Sequence, residues 1–223
     1  MRLSKNKSLI LLHIIILIWG FTGILGKLIN LSSEAIVWSR MSIAFIALLF
    51  IKKITSKNSE IKIKDFFTYS AIGILIAIHW ISFFEAIKLS TVSLALICLS
   101  SISLFTAILE PLIQKRKILL YEIMLSMLVT LGILIVFYHE SMYSIAIFLA
   151  VLSAFFAALF TVLNYQLINN NHKAITITTW EMFGGAIFVS VYMLFNNSFN
   201  FSILPQGIDI FYIIILATIC TAF

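Results

Sequence analysis

Residues 9–29 read LILLHIIILIWGFTGILGKLI and contain only two ionisable side chains, His13 and Lys27. A helix needs about 20 residues, at 1.5 Å each, to span about 30 Å of hydrocarbon, so this run is long enough for one crossing. It is also longer than the apolar core of a signal peptide, and Gly26-Lys27-Leu28 is a poor cleavage site. We therefore predict an uncleaved first membrane helix.

Runs of similar length and composition recur along all 223 residues, of which 62% are hydrophobic and 11% charged. Average soluble domains have about 25% charged residues, so a soluble fold is excluded. The runs are continuous rather than alternating, and backbone groups in lipid must be satisfied within each segment, which favours helices over a barrel. The sequence predicts an all-α, polytopic membrane protein with about eight spans, at residues 9–29, 35–51, 66–87, 91–113, 119–138, 142–168, 174–195 and 208–223.

The cations lie between these runs, and cytoplasmic loops collect Lys and Arg. With the N-terminus in the cytoplasm, the opposite loops hold almost no cation except Lys88. Topology therefore explains the net charge of +6, and no nucleic-acid partner is predicted. The cations on the predicted cytoplasmic side are Arg2, Lys5, Lys7, Lys52, Lys53, Lys57, Lys62, Lys64, Lys115, Arg116, Lys117 and Lys173.

A faint internal repeat is also present, since a shift of 142 positions lays Trp180 on Trp38. The first 142 residues contain five predicted spans, an odd number, so the second copy would cross the membrane in the opposite sense. We predict a first five-helix repeat over residues 1–138 and an incomplete second repeat over residues 142–223. In this register Phe223 falls midway through a third span, so we expect a C-terminally truncated chain.

Three stretches of small and aromatic residues carry a family resemblance. They are Trp19-Gly20-Phe21-Thr22-Gly23 in the first span, Trp38-Ser39-Arg40 near the start of the second, and AIKLSTVSLA over residues 86–95. This pattern resembles the drug/metabolite transporter superfamily, in particular its EamA-type members, and the resemblance covers the whole chain. It implies a ten-helix bundle built from two inverted five-helix repeats.

The resemblance further implies a secondary transporter of the bacterial inner membrane that exports a small metabolite or amino acid by alternating access. Its partners would be a small-molecule substrate and the lipid bilayer, with a proton as one candidate coupling ion. An enzyme is not predicted, because no HExxH, GxSxG or paired carboxylates occur, and no cofactor or metal is expected. The alternative is a non-transporting structural or regulatory membrane protein, or an inactive fragment.

Ionisable groups inside spans are functional candidates, since each costs about 2.5–3.5 kcal/mol at the bilayer centre on insertion scales. Arg40 either binds a substrate carboxylate or snorkels to the outer interface. His79 either shuttles a proton or donates to a neighbouring helix carbonyl. Glu181 either binds substrate or a proton, or makes an interhelical hydrogen bond.

Tryptophans near the middle of spans could form the walls of a substrate pocket, although tryptophan also populates membrane interfaces. Together with the ionisable residues they give the predicted substrate-binding set. We expect its members to face one shared central space. They are Trp19, Arg40, His79, Trp80, Trp180 and Glu181.

Other polar and small residues have packing interpretations. Glu85 precedes Lys88 by three positions, which permits an ion pair on one helix face, and Glu110 precedes a basic turn that could supply a salt bridge. The Gly184-Gly185 pair predicts close helix packing, as do three glycines in the first span at intervals of three. The hydroxyls of Ser100, Ser101 and Ser103 either line a polar path or bond back to their own helix.

Overall fold

The structure, a computed structural model, describes residues 5–55, 61–139, 141–199 and 203–222. Within these ranges the chain is helical and contains no β-strand. Arg2 and Lys57, two cations of the predicted cytoplasmic side, and Phe223, where the last predicted run ends, lie outside the described residues. The helices are α1 (Lys5–Leu28), α2 (Ser33–Thr55), α3 (Ile63–Leu89), α4 (Val92–Leu99), α5 (Ile102–Gln114), α6 (Leu120–His139), α7 (Ser144–Asn169), α8 (Ala174–Phe195) and α9 (Ile208–Ala217), which a π-helical turn, Thr218–Ala222, extends.

Seven helical segments of the described chain are long and apolar enough to cross a membrane. Six of them are single helices, and the remaining one, Val92–Gln114, consists of α4 and α5. This confirms the predicted all-α, polytopic membrane fold and the first seven predicted spans. The eighth predicted run is a shorter apolar helix, Ile208–Thr221, which falls below the roughly 20 residues that one crossing requires.

The fourth span is interrupted between α4 and α5, where three serine side chains bond back to their own helix. The hydroxyls of Ser100, Ser101 and Ser103 donate to the carbonyls three residues earlier, at 2.5, 2.8 and 3.1 Å. Such bonds compete with the helical ladder and favour a break or bend. Of the two roles considered for these hydroxyls, the structure therefore supports local backbone bonding.

Helix α3 lies at the centre of the bundle, packed along α7 and α8, and α8 packs in turn on α2. Burial differs between helices over the most apolar 18 residues of each. The buried share of these residues is 56% for α3, 17% for α1 and 11% for α6. Helices α1 and α6 therefore present most of their surface outward, and their exposed side chains are mainly Leu, Ile and Met. Such a surface suits contact with lipid rather than water.

Helices α2 and α8 run in opposite directions along their shared interface. The indole Nε1 of Trp38 donates to Ser190 Oγ at 2.8 Å, and the ring of Phe45 lies 5.2 Å from that of Phe183. Along one direction of the interface, residue numbers therefore rise in α2 and fall in α8. These are the two helices that the 142-residue shift superposes.

Glycines bring α3 and α8 into backbone contact. A Cβ atom added at Gly73 would overlap the carbonyl of Glu181, and one added at Gly184 would overlap the backbone of Ser70. A Cβ at Gly185 would lie 2.7 Å from the Gly73 carbonyl oxygen. The prediction of close packing at Gly184-Gly185 is confirmed, and Gly73 supplies the matching position on α3.

The glycines of α1 contribute unequally. A Cβ at Gly26 would overlap the ring of Phe84 on α3, and one at Gly23 would lie 3.1 Å from Val92. A Cβ at Gly20 would meet nothing within 4 Å. Of these three glycines, only Gly23 and Gly26, nearest the C-terminus of α1, are used for packing.

The ion pair predicted between Glu85 and Lys88 is wrong. Glu85 accepts a hydrogen bond from the Ser33 hydroxyl at 2.6 Å, and Lys88 donates to the carbonyl of Leu31. In the described parts of the chain, each ion pair within 4.0 Å involves Arg116. Glu85 and Lys88 instead connect the end of α3 to the start of α2, because each lies closer to a hydroxyl or carbonyl partner there than to the other's side chain.

Two cations stabilise helix ends at opposite sides of the bundle. Lys27 donates to the carbonyls of Ile87 and Ser90, at 2.9 and 3.1 Å, where the C-terminus of α3 favours positive charge. Arg116 pairs with Glu122 at 3.0 Å and with Glu110 at 3.3 Å, and these hydrogen bonds raise its pKa, that to Glu122 first. The predicted salt bridge of Glu110 is thereby confirmed.

The contact between α3 and α8 predicts a strong position dependence of glycine substitution. Gly73→Ala should lower the thermal unfolding midpoint of the detergent-solubilised protein, because its methyl group must force two helix backbones apart at a typical cost of about 1–3 kcal/mol. Unfolding is followed by loss of monodisperse protein on size-exclusion chromatography after heating.

Gly132→Ala is the matched control, since a Cβ at Gly132 in α6 meets nothing within 4 Å. It should leave the midpoint unchanged or raise it slightly, because alanine has the better helix propensity. Equal midpoints for the two variants would contradict the packing described for α3 and α8.

Candidate functional site

Arg40 is the most deeply buried cation of the described chain, with 2% of its surface exposed. It projects from α2 onto α3, where its guanidinium carbon lies 3.7 Å from the ring centroid of Trp80. An Arg stacked on a Trp face gains cation–π attraction, which is largest where water is excluded. Snorkelling of Arg40 to the outer interface, one of its two predicted roles, is therefore wrong.

The guanidinium is only partly satisfied by hydrogen bonds. Nε donates to Thr221 Oγ1 at 2.7 Å and Nη2 to the Cys220 carbonyl at 3.1 Å, both in the π-helical turn after α9. Nη1 is buried and has no hydrogen-bond partner. Arg40 is thus a buried cation with one free donor nitrogen and no carboxylate within 4.0 Å among the described residues.

His79, the neighbour of Trp80 in α3, bonds to α7. Its Nδ1 lies 2.9 Å from the Ser153 carbonyl and 2.7 Å from Ser153 Oγ, while this hydroxyl donates to the His79 carbonyl at 3.0 Å. Because a carbonyl can only accept, we assign the proton to Nδ1. His79 therefore makes the predicted hydrogen bond to a neighbouring helix carbonyl, and its role as a proton shuttle stays a prediction.

These contacts define a core cluster of side chains and backbone groups from four helical segments. Arg40 and Trp80 are in contact, and His79 is adjacent to Trp80 in α3. The cluster joins both parts of the chain that the repeat analysis separates. Its members are Arg40, His79, Trp80, Ser153, Cys220 and Thr221.

Trp180 and Glu181 lie elsewhere, towards the end of the bundle where Lys52 and Lys173 lie. Together with Phe45, Phe66, Phe183 and Asn164 they form what we call the basic-end cluster. Glu181 touches α3 at Gly73, seven residues before Trp80, which corresponds to about 10 Å along the helix. The predicted site residues therefore do not face one shared central space. They form two groups at different positions along α3. The reason is that α8 meets α3 through its glycines, which sets the height of Glu181.

Aromatic rings surround Trp180 in the basic-end cluster. Its ring centroid lies 5.1 Å from Phe66, 5.6 Å from Phe183 and 6.2 Å from Phe45, so rings from α2, α3 and α8 meet. The ammonium of Lys52 lies 5.7 Å from the Trp180 ring. The Trp180 contacts with Phe66 and Phe183 are edge-to-face, an arrangement that packs favourably at these separations.

Glu181 is 2% exposed. The neutral side chain of Asn164 on α7 interacts with its carboxyl group, while Glu181 Oε1 is buried without a hydrogen-bond partner. Both predicted roles of Glu181, an interhelical hydrogen bond and the binding of substrate or a proton, stay predictions.

Trp19 is the one predicted site residue that the structure does not bring to either cluster. It is 60% exposed, although it lies on the same face of α1 as Gly23 and Gly26. The contacts of α1 with Val92 and Phe84 lie at Gly23 and Gly26, about one and two turns after Trp19, so Trp19 lies beyond these packing contacts.

Several residues of the two clusters had no sequence prediction. Ser153 and Asn164 are isolated polar residues in the apolar run of α7, a weak signal that could have suggested them. Thr221 and Cys220 carried no such signal, because they act through a π-helical turn, a feature that is frequent at functional sites. Cys220 acts through its backbone carbonyl, which accepts a hydrogen bond from Arg40.

Among the described residues, no group of three or more His, Cys, Asp and Glu side chains is placed to hold a metal ion. A cleft of about 370 Å³ lies at the ends of α5 and α7 and includes none of the predicted site residues. It is lined by Ile113, Gln114, Lys115, Gln166, Asn169 and Asn170.

The chain was compared with known proteins. The sequence model of the EamA-like transporter family matches residues 6–138, which is more than half of the chain. No curated protein and no solved structure matches. The matched region contains Arg40, His79 and Trp80 and most of the membrane-spanning helices described above. The chain therefore belongs to the EamA-like transporter family, whose members are membrane transporters of the drug/metabolite type.

Proposed function

We propose that the protein is a secondary transporter that exports a small metabolite or amino acid carrying an anionic group, by alternating access between two inverted repeats. The substrate anion binds at Arg40. Residues 1–138 form the first repeat and residues 142–223 belong to the second. The protein has no catalytic activity in this proposal.

The observation that carries the proposal is the unsatisfied guanidinium of Arg40. Burying a cation without a counter-charge is costly, and breaking or omitting one partner of a buried pair costs several kcal/mol. In the described chain Arg40 has only neutral partners, namely Trp80, Thr221 and Cys220. A carboxylate or similar anion would supply both the missing charge and an acceptor for Nη1.

The position of the Arg40 contacts supports alternating access. Arg40 and Trp80 belong to the proposed first repeat, and Thr221 and Cys220 belong to the second. The opposite directions of α2 and α8, which correspond under the 142-residue shift, are those of an inverted repeat. Movement of one repeat against the other would break the two Arg40 hydrogen bonds and expose the guanidinium.

We further propose that the N-terminus lies in the cytoplasm and that the protein resides in a bacterial inner membrane. Within the described residues, Lys115, Arg116, Lys117 and Lys173 lie in turns at one end of the helices. The excess of cations in such short loops favours the cytoplasmic side.

Substitution of Arg40 tests the substrate site. In proteoliposomes containing the full chain, efflux of a panel of amino acids, nucleobases and sugars is measured, and the acidic or carboxylate-bearing solutes should be moved. Arg40→Ala should reduce that flux by about 10-fold to 100-fold, because a hydrogen bond to a charged group contributes about 1.5–3 kcal/mol. Arg40→Lys should retain part of it.

Arg116→Ala is the matched control, since it removes an arginine whose partners are carboxylates at the helix ends. It should leave flux unchanged. A folded chain that moves none of the solutes, with or without Arg40, would instead favour a structural or regulatory membrane protein.

Thiol labelling tests the proposed orientation. In intact cells, an impermeant maleimide should label Asn197→Cys, in the turn after α8, and should label Lys117→Cys only after permeabilisation. The native Cys98 and Cys220 are both buried, and the parent chain measures their background. The reverse labelling pattern would place the N-terminus outside.

A further inference from the structure

Unsatisfied polar atoms concentrate around Glu181. The described chain has ten buried side-chain nitrogen or oxygen atoms without a hydrogen-bond partner, and five of them lie on the basic halves of α3, α7 and α8. A membrane interior normally leaves few such atoms unpaired. The five atoms are Ser70 Oγ, Asn164 Oδ1, Thr176 Oγ1, Trp180 Nε1 and Glu181 Oε1.

No cation neutralises the Glu181 carboxyl group in the part of the chain that the structure describes. On α2, the nearby charge is Lys52, which faces the Trp180 ring. On α3, Tyr69 bonds to His172 at 2.5 Å, and from α7 the neutral Asn164 contacts the carboxyl group.

Three other ionisable groups on α2 and α3 have identified neighbours. Asp65 interacts electrostatically with Tyr69, while Arg40 and His79 belong to the core cluster. Among the described residues, the Glu181 carboxyl group is therefore buried without a charged partner within 4.0 Å. An ionised carboxylate in such a place would lack both a counter-ion and water.

The same residue forms the crossing of α3 and α8. The backbone of Glu181 occupies the space that a side chain at Gly73 would need, and Ser70 occupies the space that a side chain at Gly184 would need. The Glu181 side chain is 2% exposed, so its carboxyl group is not hydrated in this packed state. If Glu181 loses its proton, the carboxylate must be hydrated, and hydration requires the two helices to separate.

We propose that Glu181 is a proton-binding site whose deprotonation separates α3 from α8 and opens the basic end of the bundle. The proton is held on the carboxyl group in the packed state and passes to water that enters as Trp180 and Phe66 move apart. Protonation of the carboxylate reverses these changes. The use of this proton to drive export rests on the proposed function, whereas its binding does not.

The first experiment is infrared difference spectroscopy of the full chain in lipid nanodiscs between acidic and alkaline buffer. A C=O band of a protonated carboxyl group should disappear as the pH rises. It should be absent from Glu181→Gln and present in Glu110→Gln, the matched control, whose residue pairs with Arg116. Asn164→Ala keeps Glu181 and should shift the band, so the test remains decisive if Glu181→Gln does not fold.

The second experiment measures the separation of the helices through Ser70→Cys. Its labelling by a methanethiosulfonate reagent should rise from acidic to alkaline buffer by at least 10-fold more than in the double variant that combines Ser70→Cys with Glu181→Gln. That double variant controls for ionisation of the thiol itself, because its amide side chain mimics the protonated carboxyl group at every pH.

Persistence of the infrared band in a folded Glu181→Gln variant, or the absence of a titrating band from the wild-type chain, would overturn the proton site. Identical labelling of Ser70→Cys with and without Glu181 would overturn the helix separation. If both results are as expected but proteoliposomes show no solute flux, the proton site stands and the transport function fails.

Discussion

The backbone contact between α3 and α8 is the constraint on which the rest of this bundle depends. Lipid tails are as apolar as leucine, so helices in a bilayer gain little by burying apolar surface and associate instead by close packing of small residues. Gly73 and Gly184 provide that packing here. Because α3 also packs along α7, the crossing sets the positions of both clusters on the central helix.

Two incompletely satisfied ionisable groups flank this crossing. Arg40 has a free donor nitrogen, and Glu181 has a free acceptor oxygen, yet they do not pair with each other. A direct ion pair would have neutralised both and would have left neither available for a ligand. Arg40 contacts α3 at Trp80 and Glu181 contacts it at Gly73, positions about 10 Å apart along the helix, and in the proposed mechanism this divides the bundle into an anion-binding region and a proton-binding region.

The parts of the fold that could be predicted from sequence depend on local properties. A span such as α3 is recognised by its length and apolar content, and the close packing at Gly184-Gly185 follows from residue size alone. The Glu85–Lys88 pair was predicted from spacing and was wrong, because tertiary partners at Ser33 and Leu31 compete for the same side chains. Spacing within one helix contains no information about such partners.

The apolar runs alone indicate a multi-pass helical membrane protein, and Arg40, His79 and Glu181 are noticeable in the sequence because an ionisable group in an apolar run is conspicuous wherever the run lies. The stacking of Arg40 on Trp80, the separate position of Trp19 and the place of Glu181 at a helix crossing are visible only in the folded bundle. The physical reason is that helix contacts depend on the relative height and rotation of helices far apart in the chain, which packing of all of them sets together.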